Sequence, residues 1–265
     1  MRCSIYSFVF ALCLAAPGVA PAGQTALFFY SPEFAPGNLS VLTEAAGSYF
    51  SDSGTGLQFQ AFARFQDFKR EFSTQRPAFV VIPNWVREND DLPSGLTPIL
   101  LPLRGGQSLG RKTLMARASI TNLRELGHGS VAATMPTLTL AHRPTRLENL
   151  RERNPGIRII AVPKDIDALL AVSFGQVDAA FVSTAQFGML AAVNPKLTQE
   201  LHDLGYSEEI PFPRIYATDY ASAEEIARFR DNISSVNTTG TGRRLTSLLG
   251  YDEWKLLDSI ETKRD

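Results

Sequence analysis

The stretch D-I-D-A-L-L-A-V-S-F-G-Q-V-D-A-A-F-V-S-T-A-Q-F, Asp165 to Phe187, decides the fold class. Ile166, Leu169, Leu170 and Phe174 recur at the three-and-four spacing that lines one helix face, and Asp165 is placed to cap the free amides at its start. Gly175 stops the helix. Val177 to Val182 is then a nearly continuous apolar run broken only by Asp178, the pattern of a strand buried on both faces of a parallel sheet. Ser183 and Thr184 follow at the strand's carboxyl end, where open α/β sheets bind ligands. The reading is an α/β chain whose units deliver hydroxyls to a crevice.

A comparable unit occurs about a hundred residues earlier. Phe65, Phe68 and Phe72 sit at helical spacing, a core stripe; Ala78 to Ile82 reads as a buried strand, and Pro83-Asn84-Trp85 stands at its tip. Two such units imply two similar lobes, each a mostly parallel sheet flanked by helices. The first lobe opens with a strand ending at Tyr30, a loop carrying Glu33, a helix from Ser40 to Phe50 and a strand around Leu57 to Ala61. After the glycine-rich Arg104 to Gly110, Lys112 to Arg117 is the candidate crossing, and Ile215 to Thr218 the candidate return. The expected division is a leader at 1–22, a first lobe from 23–112 plus 217–265, and a second lobe from 113–216. Within the second lobe, Asn122 to Leu126 is expected as a short helix, Ser130 to Thr134 as a strand, and Met135 onward as a helix. Two closing helices are expected, Ala221 to Ser234 with a Ser222/Glu225 capping box, and Thr241 to Ile260.

The amino terminus has one cation, Arg2, an apolar segment from Ile5 to Ala16, a Pro17-Gly18 break and the small-x-small Ala20-Pro21-Ala22, the pattern of a cleaved secretory signal. That apolar run is short of the ~20 residues needed to span a bilayer, so the chain is expected in the periplasm and not embedded in the membrane. Both cysteines, Cys3 and Cys13, fall in the leader. The mature chain therefore has no disulfide, zinc-thiolate site or thiol nucleophile. Without Arg2 the balance is 25 basic to 27 acidic residues, with no basic cluster, which argues against nucleic acid as a partner.

Tyr30, Asn84, Trp85, Thr137, Thr139 and Ser183 all fall just beyond strand carboxyl ends, with Thr134 and Thr184 beside them. The Thr134 to Thr139 segment places hydroxyls where a strand meets a helix start, a ready seat for an anion or carbonyl. Glu33, read as exposed, would repel a naked anion and suit a ligand with an amine, or is simply solvated. Asp178 within its apolar strand is read as bonding nearby amides or an arginine in preference to a ligand. Gly106-Gln107-Ser108-Leu109-Gly110 matches the G-x-S-x-G nucleophile pattern, but a strand and not a helix is expected after it, so it reads as a glycine-rich hairpin. His128, His142 and His202 form no metal-ligand spacing.

The Ser119 to Thr137 block, containing S-x-x-N-L-x-E-L-G-x-G-S-V-A-A-T, with Gly175 to Ala180, Ile210-Pro211-Phe212-Pro213 and the Gly242 to Trp254 segment, in which Leu248-Leu249-Gly250-Tyr251 is followed by Trp254, resembles the periplasmic solute-binding proteins of the phosphate, phosphite and phosphonate uptake type. The resemblance implies a two-lobed type II periplasmic-binding-protein fold, no catalysis and no cofactor or metal. It also implies a small oxyanionic ligand in the cleft and a permease of an ABC transporter as membrane partner; the alternative is a sensory protein handing ligand state to a membrane signalling partner. Two departures bear on specificity. Met135-Pro136-Thr137-Leu138-Thr139 stands where the family has a loop rich in Ser and Gly, and Pro77 where it has an Asp.

Overall fold

The computed structural model describes residues 25–34, 36–88, 92, 95–138, 150–152 and 154–257. The leader, His142 and Thr139 lie outside the described residues.

The chain forms two main sheets. In the first, β1 (Ala26–Tyr30) lies between β2 (Gln58–Phe62) and β3 (Phe79–Ile82), both parallel to it. Helices α1 (Pro36–Asp52) and α2 (Phe65–Gln75) make the crossovers between these strands. In the second, β7 (Ser130–Ala133) lies between β8 (Arg158–Ala161) and β9 (Ala179–Ser183), again parallel. Short α3 (Asn84–Glu88) follows β3, short α4 (Met135–Leu138) follows β7, α5 (Asp165–Ser173) follows β8, and α6 (Thr184–Val193) follows β9. The two lobes share one strand plan, centre flanked by its second and third strands.

Each sheet is extended by an antiparallel strand that enters from the other lobe. β6 (Lys112–Arg117) pairs with β9, and β12 (Arg214–Ala217) pairs with β3. Beyond these, β10 (Leu201–Tyr206) closes the second sheet, and β4 (Thr97–Leu103) with β13 (Glu253–Leu256) closes the first. The two crossings also bond to each other: β5 (Leu109–Gly110) pairs with β11 (Ile210–Pro211), and Lys112 and Ser207 exchange hydrogen bonds, Lys112 N to Ser207 Oγ at 2.9 Å and Ser207 N to Lys112 O at 2.7 Å.

Burial follows the sequence pattern. Alternate residues of β1 face opposite sides: Phe28 and Tyr30 join Phe62, Phe68 and Phe72, while Leu27 and Phe29 join Phe50, Phe79 and Phe229. The Phe stripe of α2 is core, with Phe68 and Phe72 buried and their rings 5.9 Å apart. Asp178 is satisfied within its own lobe, accepting from the Ser130 N–H at 2.7 Å and Ser130 Oγ at 3.1 Å and pairing with Arg117. Burial pushes the Asp178 carboxyl up, but the Ser130 donors and the Arg117 charge outweigh it and hold it below its ordinary value.

Two local expectations change. Residues 121–128 form turns and not a helix, because the Glu125 carboxylate takes the Thr121 N–H and Oγ1 and the Asn122 side-chain amide, diverting groups a helix start would use. The closing helix stops at Leu249, where Gly250 adopts a left-handed cap at φ 73°, and Trp254 lies in the edge strand β13. This closing helix is α8 (Gly240–Leu249), and α7 (Ala223–Ser234) before it starts with the Ser222/Glu225 capping box read from the sequence.

Candidate functional site

The strand ends of the two lobes meet, and α3 packs against α4. Around this junction the structure gathers a buried ionic cluster. Lys112, first residue of β6, sends its side chain under the second sheet's carboxyl edge. Its Nζ donates to Asp165 Oδ1 and to Thr134 Oγ1, each at 2.5 Å, and lies 3.8 Å from Glu33 Oε1. Only 10 % of the Lys112 side chain and 4 % of the Asp165 side chain are exposed, against 28 % for Glu33. Asp165 also accepts the Ser183 N–H at 2.9 Å, and its own N–H donates to Glu33 Oε2 at 3.0 Å. Nearby, Lys164 Nζ reaches the Phe34 carbonyl at 3.5 Å. A first-lobe loop is thus tied to the start of a second-lobe helix by side-chain and main-chain bonds.

Charge within this cluster is uneven. Asp165 is held by an ammonium, a hydroxyl and an amide, whereas Glu33 shares the same ammonium at longer range. Burial, with the neighbouring Asp165 charge adding to it, pushes the Glu33 carboxyl up to about 7 against the pull of Lys112 and the Asp165 N–H.

Of the residues singled out from the sequence, Glu33, Thr134 and Ser183 meet in this cluster. Glu33 is not the exposed, solvated carboxylate its loop position implied: its loop is bonded to the start of the second lobe's α5, which partly buries it. Asp165 does not cap α5, because its carboxylate is engaged by Lys112 and Ser183; the cap residue is Lys164, whose ammonium has no acceptor to offer the free amides. The Ser183 hydroxyl caps α6 by accepting the Gln186 N–H at 3.4 Å, and Thr184 is exposed at the first position of that helix.

The remaining candidates form a second group. Tyr30 is buried against Phe65, Phe68 and Trp85, with centroids 5.3, 5.6 and 6.2 Å away, and burial pushes its phenol up to about 12. Asn84 Oδ1 accepts from the Tyr216 hydroxyl at 3.1 Å. Trp85 Nε1 on α3 and Thr137 Oγ1 on α4 are buried with no hydrogen-bond partner among the described residues. Thr137 is 1 % exposed. A buried polar atom without a partner is costly, and these two lie on the helices that touch between the lobes.

Lys112, read as the start of a crossing, and Asp165, read as a helix cap, were not singled out as site residues. The available signal was a lysine near the start of a strand whose centre, Leu114-Met115-Ala116, is apolar, together with an aspartate just after a strand end. Ser108 follows a tight Arg104–Gln107 hairpin and precedes a strand, so the geometry of a nucleophile turn is not formed. Among the described residues no group of three or more His, Cys, Asp and Glu is placed to hold a metal ion, and no helix is long and apolar enough to cross a membrane.

Comparison with solved structures finds this architecture in periplasmic binding proteins. A binding protein component of an ABC phosphonate transporter from Pseudomonas aeruginosa superposes with a TM-score of 0.69 at 13 % identity, covering 90 % of this chain and 83 % of that one. PhnD1 from Prochlorococcus marinus, solved with methylphosphonate, gives 0.70 at 11 % identity over 91 % of this chain and 95 % of its own. A Xanthomonas citri protein solved with chloride gives 0.68 at 14 % identity, over 92 % and 95 %. At such identities the likeness establishes the two-lobed binding-protein fold. No curated protein matches the chain in sequence. The family model described as the periplasmic substrate-binding protein of the phosphonate ABC transporter matches residues 95–260, well over half of the sequence, and the chain belongs to that family.

Proposed function

We propose that this protein captures a small phosphonate-class oxyanion between its lobes and presents it to the permease of an ABC transporter, after export and removal of about the first 22 residues. The observation that carries the reading is the pair of buried, unpartnered donors, Trp85 Nε1 and Thr137 Oγ1, on helices of opposite lobes that touch each other. Neutral donors suit an oxyanion at this place. Of the lysines at the junction, Lys112 is already committed to Asp165 and Thr134, and Lys164 reaches the Phe34 carbonyl. Closure bends the paired crossings at β5 and β11, with the lobes at 23–112 plus 217–265 and at 113–216 moving as units.

The test is thermal unfolding of the mature chain with methylphosphonate, phosphite, phosphate and sulfate. A ligand at a hundredfold its Kd adds about 2.7 kcal/mol of stability and raises Tm accordingly. No change in Tm with any of the four refutes the reading.

A further inference from the structure

We propose that Glu33 makes ligand capture proton-linked: when an oxyanion enters the cleft, Glu33 takes up a proton, so that the neutral carboxyl is the form that accompanies bound ligand. This rests on the oxyanion reading of the same cleft.

The argument begins with counting charges. Three carboxylates, Glu33, Asp165 and Asp167, face the cluster with two ammonium groups, Lys112 and Lys164. Fully ionised, the group is one negative charge in excess in a half-buried place. The excess falls on the carboxylate with the weakest compensation. Asp165 has Lys112 at 2.5 Å and the Ser183 amide at 2.9 Å, while Glu33 has the same lysine at 3.8 Å and a single amide at 3.0 Å.

Position supplies the second step. Glu33 lies in the loop beyond the carboxyl end of β1, in the first lobe, and bonds the first residue of α5, in the second. It therefore sits where the lobes close. Any anion placed among the strand ends brings another like charge toward it, and a carboxylate with no cation of its own answers by binding a proton. Its titration about 7 places that response in the neutral range. A protonated Glu33 still accepts the Asp165 N–H with one oxygen and offers its O–H as a donor, so the interlobe contact survives the change.

Calorimetry with methylphosphonate in buffers of different ionisation enthalpy measures the protons taken up on binding. The ligand's own second ionisation contributes equally in wild type and Glu33→Gln, so the difference belongs to Glu33. At pH 7 the expected difference is roughly 0.5 proton, rising toward one at pH 8. Above pH 7, wild-type affinity should fall by up to about tenfold more per pH unit than that of Glu33→Gln, which mimics the neutral form and binds more tightly at pH 8. Equal proton uptake in the two proteins overturns the inference while leaving the ligand reading intact; no binding by either removes both. Loss of binding only in Glu33→Gln also overturns it. Should that variant not fold, carboxyl 13C NMR of Glu33 in the wild type decides: the midpoint must rise on adding methylphosphonate, and an unchanged midpoint overturns the inference.

Discussion

Lys112 Nζ donates to Asp165 Oδ1 at 2.5 Å, joining the first residue of a strand to the first residue of a helix across 53 positions of sequence. The pair is nearly closed to water on both sides. Its lysine also stands in a crossing between the lobes, bonded to Ser207 of the return crossing. The same residue thus ties the two crossings together and holds the buried ionic cluster.

Removing one partner of such a pair leaves the other charge buried and uncompensated. Lys112→Met should therefore lower unfolding stability by about 3–5 kcal/mol, read from urea denaturation at neutral pH. Lys112→Met with Asp165→Asn removes both charges and should recover a large part of the loss. Equal loss in the single and double variants would show that the charge pairing is not the source.

Glu33 gives the fold a pH dependence of opposite sign to that of an ordinary paired carboxylate. Its carboxyl is raised from 4.5 to about 7, so between those values the folded chain holds a proton that the unfolded chain has released. Its contribution is most favourable below pH 4.5 and is lost as pH rises through about 7. Comparing urea midpoints from pH 5 to 8, Glu33→Gln should gain on the wild type with rising pH, by on the order of 2 kcal/mol across the window.

Asp178 works the other way. Held below its ordinary value, it contributes stability above the usual carboxylate range that is lost as pH falls through that range and below. Asp178→Asn should cost on the order of 1 kcal/mol at pH 7 and flatten the acid limb of the stability profile, measured by thermal unfolding between pH 2.5 and 7.

Thr137 tests the proposed ligand seat separately from folding. Thr137→Val deletes a buried hydroxyl with no partner among the described residues, so stability should hold or rise by about 1 kcal/mol. Affinity for methylphosphonate should fall about 5- to 10-fold by calorimetry, the loss of one hydrogen bond. Unchanged affinity would place the ligand away from α4.

Much of the architecture was legible because its signals are local. The helical spacing of Phe65, Phe68 and Phe72 and the buried run at Val177 to Val182 each state their element within a few residues. The capping box at Ser222 and Glu225 is likewise written in four consecutive positions, and it forms as written. Local reading failed where a side chain had a choice of partners. Asp165 at a helix start has the chemistry of a cap, and only the arrival of Lys112 from β6 and of Ser183 from β9 turns it away from its own helix. Glu125, in a segment with helical pattern, instead closes a turn on Thr121 and Asn122.

By itself, then, the sequence determined an α/β chain with a repeated helix-strand unit and hydroxyls at its strand ends, because periodicity and glycine stops act over one or two turns of backbone. Tertiary structure alone decided that Glu33, 132 residues from Asp165, is partly buried and shares its lysine. A carboxylate's proton affinity depends on burial and on which charges stand within a few ångströms, and these are set only when the two lobes are brought together.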